Sequence, residues 1–185
     1  MISSNSAQLG WTTDTILLGS RLLLSFPMVR KIVSGGQTGV DRSALDWALD
    51  RGIECGGWCP SGRLAEDGTI DSRFPLRETP SESYAQRTEY NVRDSDGTVI
   101  ILLGSELKGG TALTRKFTTS WNRPCLILSE SKTDRPSTKL RDFINKHRIE
   151  ILNLAGPRES GEPGVGVFAR RVLDESISVQ APQLS

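Results

Sequence analysis

The sequence is short of histidine, cysteine and net charge. Among 185 residues there is one histidine, His147, and there are three cysteines, Cys55, Cys59 and Cys125. A structural zinc site takes about four ligands, usually cysteine and histidine, so metal coordination by the chain has little support. His147 falls at the end of a polar helical stretch, where a solvent-facing residue at a helix C-terminus accounts for it better than catalysis does. An odd cysteine count without a secretory leader argues against a disulfide scaffold. The formal net charge is +1, which supplies no broad basic face for nucleic acid. Long apolar runs are also missing. Ile16-Leu17-Leu18 and Leu22-Leu23-Leu24 are separated by Gly19-Ser20-Arg21, and the whole is too short and broken to span a membrane. A positive n-region and a small-residue cleavage site are absent too. The expected location is the cytoplasm, with neither nucleic acid nor membrane as partner.

The composition is otherwise that of one globular domain with a proper core. Residues 1–27 follow no pattern, and Met28 stands directly before the first strand signal. We expect a disordered extension or a miscalled start over 1–27, a single domain over 28–177, and a frayed tail over 178–185.

What the sequence does have is a glycine-rich turn between a strand and a helix, Ser34-Gly35-Gly36-Gln37-Thr38-Gly39-Val40-Asp41. Val29, Ile32 and Val33 supply the strand. Thr38 suits an N-cap, with Asp41 three residues on as its capping-box partner. Val40, Ala44, Trp47 and Ala48 give the helix an apolar face, and Gly52 ends it. Such a turn leaves backbone N–H groups unpaired at the positive end of a helix dipole, which favours an anion such as phosphate. A tight turn with no ligand explains the same residues, and the turn alone leaves both readings open.

Further along, strands alternate with helices. Ile53–Trp58 reads as a strand. Residues 60–80 show no sustained period and are dense in charge, with a possible strand at Phe74-Pro75-Leu76 and Arg63 as a candidate anion contact within a lid. A helix covers 82–94, then Thr98–Leu103 is apolar throughout, as in a strand buried on both faces. Gly109-Gly110-Thr111 opens a helix with Leu113, Phe117 and Trp121 at four-residue spacing. A strand at Cys125–Leu128, a helix at Pro136–His147, a strand through Ile151, Leu152 and Leu154, and a helix over 164–177 complete the pattern. The fold class is α/β, a Rossmann-like three-layer sandwich with a mainly parallel sheet and helices on both faces. Ligands of such sheets bind beyond the carboxyl ends of the strands. If the first strand and the Thr98–Leu103 strand are neighbours, their two glycine turns converge, and the anion reading moves ahead. Arg158 joins them if the last strand lies close.

Other phosphate motifs do not fit. The first turn is neither G-x-G-x-x-G nor a Walker A loop, and Cys59 has no histidine partner for nucleophilic catalysis. Asp41, Glu66, Asp67 and Glu159 stay open as carboxylates, Asp41 with a helix-start role and Glu66-Asp67 as solvated residues.

Taken together, the first turn with Ala44-Leu45, Gly57-Trp58-Cys59-Pro60, Gly62-Arg63, Ala65-Glu66-Asp67-Gly68, Glu78-Thr79-Pro80, Arg87-Thr88-Glu89, Asn91 to Gly97, Gly109 to Thr114, and Gly156-Pro157-Arg158-Glu159-Ser160 resemble the molybdenum cofactor carrier protein family. The match runs over about 29–173. That family is Rossmann-like and related to the lysine-decarboxylase-like or "lonely guy" phosphoribohydrolases. The resemblance implies binding, protection and delivery of the molybdenum cofactor, an anionic pterin phosphate whose dithiolene already holds the metal, so that the chain coordinates none. It implies a homo-oligomer, with molybdoenzymes as delivery partners. The residues implied to hold the ligand are Gly35, Gly36, Gln37, Thr38, Gly39, Asp41, Arg63, Gly109, Gly110, Thr111, Arg158, Glu159 and Ser160, with no catalytic residue. Ser61 stands where the family has lysine and Tyr90 where tryptophan is common. The phosphoribohydrolases carry a glutamate three residues after the threonine of their second glycine turn. Thr114 stands there, which ranks binding above a nucleoside-monophosphate N-glycosidase; a nucleotide-like ligand sensor is the other alternative.

Overall fold

The alternating pattern becomes a parallel sheet flanked by helices. The computed structural model describes residues 28–177, and the expectations for 1–27 and 178–185 lie outside them. In chain order the elements are β1 (Lys31–Val33), α1 (Val40–Asp50), β2 (Glu54–Cys59), β3 (Leu64–Ala65), β4 (Gly68–Thr69), β5 (Leu76–Glu78), α2 (Tyr84–Arg93), β6 (Gly97–Leu102), α3 (Gly109–Ser120), β7 (Cys125–Ser129), α4 (Pro136–His147), β8 (Ile151–Ala155) and α5 (Val165–Ser176). Six strands form one sheet in the order β5-β2-β1-β8-β6-β7, every pair parallel. Helices α1, α5 and α4 cover one face, and α2 with α3 the other, which gives three layers. Among the described residues no helix is long and apolar enough to cross a membrane.

Each strand owes its place to burial. All six residues of β6 are buried, as an apolar run between two helical layers requires. Ile32, Leu152, Val99 and Ile101 stack with Val40, Trp47, Phe168 and Val172 into one core. Trp47 is fully buried, and its indole N–H donates to Asp174 at 2.7 Å, so its one polar atom is satisfied. Asn153, at the centre of the sheet, donates to the Thr98 hydroxyl at 3.1 Å. Cys125 sits half-buried at the start of the edge strand, and His147 in the exposed last turn of α4, its ring 5.0 Å from that of Phe143.

Three features depart from the sequence reading. β1 and β6 are not neighbours: β8 lies between them, pairing Lys31 with Ile151 and Thr98 with Asn153. The charged stretch 60–80 is also not structureless. It holds the antiparallel hairpin β3–β4, and β5 extends the sheet beside β2 with Gly57 opposite Leu76. Finally, α3 turns Thr111, Thr114 and Thr118 inward, leaving Trp121 42% exposed. The inward hydroxyls are satisfied within the helix, Thr114 donating to the Gly110 carbonyl and Thr118 to that of Arg115, each at 2.8 Å.

Candidate ligand-binding site

Parallel strands bring all their carboxyl ends to one edge. There the loops after β1, β6 and β8 surround a cavity of about 840 Å³, within the size range of small-molecule sites. Its wall includes Gln37 from the first loop, Gly109, Gly110 and Thr111 from the start of α3, and Arg158 and Ser160 from the loop after β8. Thus six of the expected residues share one wall, although β8 separates the two glycine turns. Because β8 is central, its loop carries Arg158 between them. Tyr84 and Arg87, on α2, close the side.

The two glycine turns do different work. At the start of α3, a Cβ on Gly109 or Gly110 would meet no atom within 4 Å. The N–H groups of Gly109 and Gly110 have no acceptor among the described residues, since the first helical bonds run from Thr111 and Ala112 to the Lys108 carbonyl. The backbone is therefore bare toward the cavity, at the positive end of a three-turn helix. The first turn is instead filled by the protein. A Cβ on Gly35 would collide with the Arg87 guanidinium, and one on Gly39 would strike the backbone of Pro157 to Glu159. Gly35, Gly36 and Gly39 thus serve close packing and do not line the cavity.

Several expected contacts are committed internally. Gly39, not Thr38, is the N-cap of α1. The Thr38 hydroxyl donates to Glu66 and accepts from Glu159 N–H at 3.2 Å. Asp41 is 2% exposed and pairs with Arg87 at 2.7 Å, rather than capping through Thr38. Arg63 does not reach the cavity: it donates to the carbonyls of Ile70, Asp71, Phe74 and Leu76 at 2.8 to 3.2 Å, organising its own loop. The Thr111 hydroxyl folds onto Lys108, accepting from its N–H at 3.0 Å and donating to its carbonyl at 2.7 Å. Glu159 accepts from Gly164 N–H at 2.6 Å, at the start of α5.

Gln37 is the sharpest feature of the wall. It is 4% exposed. Its Oε1 accepts from the N–H groups of Thr38 at 3.0 Å and Glu66 at 2.9 Å, which fixes the amide so that Nε2 is the free end. Nε2 is buried without an acceptor, and so is Nε of Arg87. Such donors are rare in folded proteins and mark places where a partner is due. Arg158 stacks on Tyr84, its guanidinium 5.0 Å from the ring centre. The Arg87 guanidinium lies 5.9 Å from the centre of the same Tyr84 ring. Glu162 fixes the end of β6, accepting from Leu103 N–H at 2.5 Å.

The sequence reading missed Arg87, Tyr84 and Glu162. Arg87 was within reach of it, because a buried acid at a helix start wants a cation, but nothing local says which of 23 basic residues supplies it. Below the main cavity a small polar recess, bounded by Asp41, Arg87, Asn91, Thr114 and Asn153, continues from the same wall. Among the described residues no group of three or more His, Cys, Asp or Glu is placed to hold a metal ion.

Residues 32–177 match the model of the circularly permutated YpsA SLOG family. The chain belongs to this family. A solved structure from Syntrophus aciditrophicus, described as a "Putative molybdenum carrier protein", is 42% identical, with a TM-score of 0.79 over 82% of this chain and 97% of that one. No curated protein matches. The family match runs from the second residue of β1 through α5, and takes in the whole cavity wall.

Proposed function

We propose that the chain binds the molybdenum cofactor in the cavity at the carboxyl ends of β1, β8 and β6, and carries it to molybdoenzymes. The observation that carries this reading is the set of unanswered donors in residues that line the cavity: the buried Gln37 Nε2 and Arg87 Nε, and the bare N–H groups of Gly109 and Gly110. A wall of donors suits a ligand rich in acceptors and negative charge. In this reading the terminal phosphate lies at the start of α3, Arg158 contributes charge, and Tyr84 lies beside the pterin. The cofactor's dithiolene holds its metal, so the chain adds no ligand. The name of the solved relative supports molybdenum cargo.

The same reading takes 28–177 as the binding domain and a homo-oligomer as the working form. A binding role is favoured over N-glycosidic hydrolysis because that reaction calls for a carboxylate where Thr114 stands, and Thr114 spends its hydroxyl on Gly110. Native mass spectrometry of the protein purified anaerobically from its own cells tests the proposal. The expected spectrum shows more than one subunit, each with the added mass of a molybdenum-bearing pterin phosphate. A nucleotide mass in its place would overturn the carrier reading.

A further inference from the structure

An exposed carboxylate of the protein itself, Glu66, sits at the rim of the α1 glycine turn. The tip of the β3–β4 hairpin lies against the turn. The Glu66 carboxylate accepts from the hydroxyls of Thr38 and Ser160, and from Ser160 N–H at 3.3 Å. Asp67, the next residue, makes a two-point ion pair with Arg42 of α1, one contact at 3.0 Å. Arg42 also donates to the Gly36 carbonyl at 3.2 Å, and Glu66 N–H to Gln37 at 2.9 Å. The hairpin tip is thereby fastened to the turn at both of its acidic residues. The hydrogen bonds from Ser160 and then Thr38 hold the Glu66 carboxyl below its ordinary range, so it stays charged near neutrality.

We propose that Glu66 is a specificity-determining residue, a resident carboxylate that closes the α1 turn to external anions. A ligand then has one anionic berth, the start of α3, and a second anionic group reaching toward α1 meets a like charge. The substrate class is a molecule with a single anionic end rather than one with phosphates at both ends. Exclusion by a fixed like charge is a common way of setting specificity. The inference rests on the reading above for where the ligand sits.

Titration with inorganic phosphate, followed by amide NMR, tests it. Gly109 and Gly110 report the α3 end; Thr38 and Glu159, which do not line the cavity, report the α1 turn. In the unaltered protein Gly109 and Gly110 should shift and the α1 reporters should stay still. In Glu66→Ala the α1 reporters should titrate, with affinity at least about tenfold above the unaltered protein. Glu66→Gln, which keeps the shape and removes the charge, should move the same way if the alanine variant folds poorly. Asp67→Asn removes an equal charge without emptying the turn and should leave the reporters still. Silent α1 reporters in both Glu66 variants, titration of the turn in the unaltered protein at the same midpoint, or an equal response in Asp67→Asn would each overturn the proposal. If Gly109 and Gly110 alone fail to respond, the placement of the ligand phosphate is wrong, while the comparison at α1 still decides the role of Glu66.

Discussion

At the scale of single residues, burial and hydrogen bonding divide the site into groups that hold the fold and groups left for a ligand. Gln37 does both through its two amide ends. Gln37→Glu keeps an acceptor for the N–H groups of Thr38 and Glu66 and replaces the free donor with a charged oxygen. Cofactor affinity should fall roughly a hundredfold with the fold retained, measured by anaerobic titration beside a thermal melt. Asp41 behaves differently, because its carboxylate is buried against Arg87. Asp41→Asn strands a buried guanidinium and should cost about 3 kcal/mol in urea unfolding. The glycines separate in the same way. Gly110→Val puts its side chain into open space, so binding should weaken on the order of a hundredfold while stability changes by less than about 1 kcal/mol. Gly36→Val would force a side chain onto a backbone at φ +76, 2.6 Å from Leu76, so its effect reports folding and not anion contact.

At the scale of elements, the strands and helices were legible because their apolar periods were strong. Thr98–Leu103 announced itself as a buried strand, one residue along from the observed Gly97–Leu102, and Pro136–His147 was found at its observed limits. The stretch 60–80 was opaque for a physical reason. Its strands are two or three residues long, too short for any period, and its order comes from Arg63 bonding four carbonyls. Arg63→Met should raise hydrogen exchange across 64–78 and lower stability by about 2 kcal/mol, with the sheet beyond β2 unaffected. The α1 turn shows a second limit. Its glycines and threonine read as an open phosphate cradle, yet Glu66 and Arg87 fill it from 28 and 46 residues away. The sequence left an anion site and an empty turn both open here; the tertiary fold shows the turn packed by the protein's own side chains. The second turn, Gly109-Gly110-Thr111, does open a helix as read, and its Thr111 hydroxyl is turned back on the backbone.

At the scale of the whole molecule, the arrangement of charge sets how stability follows pH. The Asp94 carboxyl is lowered by its hydrogen bonds with Arg93 and then Trp58, and that of Asp67 by Arg42. Because these groups titrate lower in the folded state than in the unfolded chain, their contribution is complete above the ordinary carboxylate range. It is lost as pH falls through the lowered values. The melting temperature should therefore be flat near neutrality and drop below about pH 4. Burial pushes the Cys55 and Cys59 thiols up, so both should resist alkylation in the native protein, with the half-buried Cys125 reacting first. In the proposed function one cavity, walled by the loops after β1, β6 and β8 and by α2, receives the molybdenum cofactor. Anaerobic titration of the full chain with the cofactor and, in parallel, with a nucleoside monophosphate tests it most directly. One cofactor should bind per chain, far more tightly than the nucleotide, and Arg158→Ala should weaken binding at least tenfold. Equal affinity for the two ligands, or an Arg158→Ala variant that binds the cofactor as well as the unaltered protein, would contradict it.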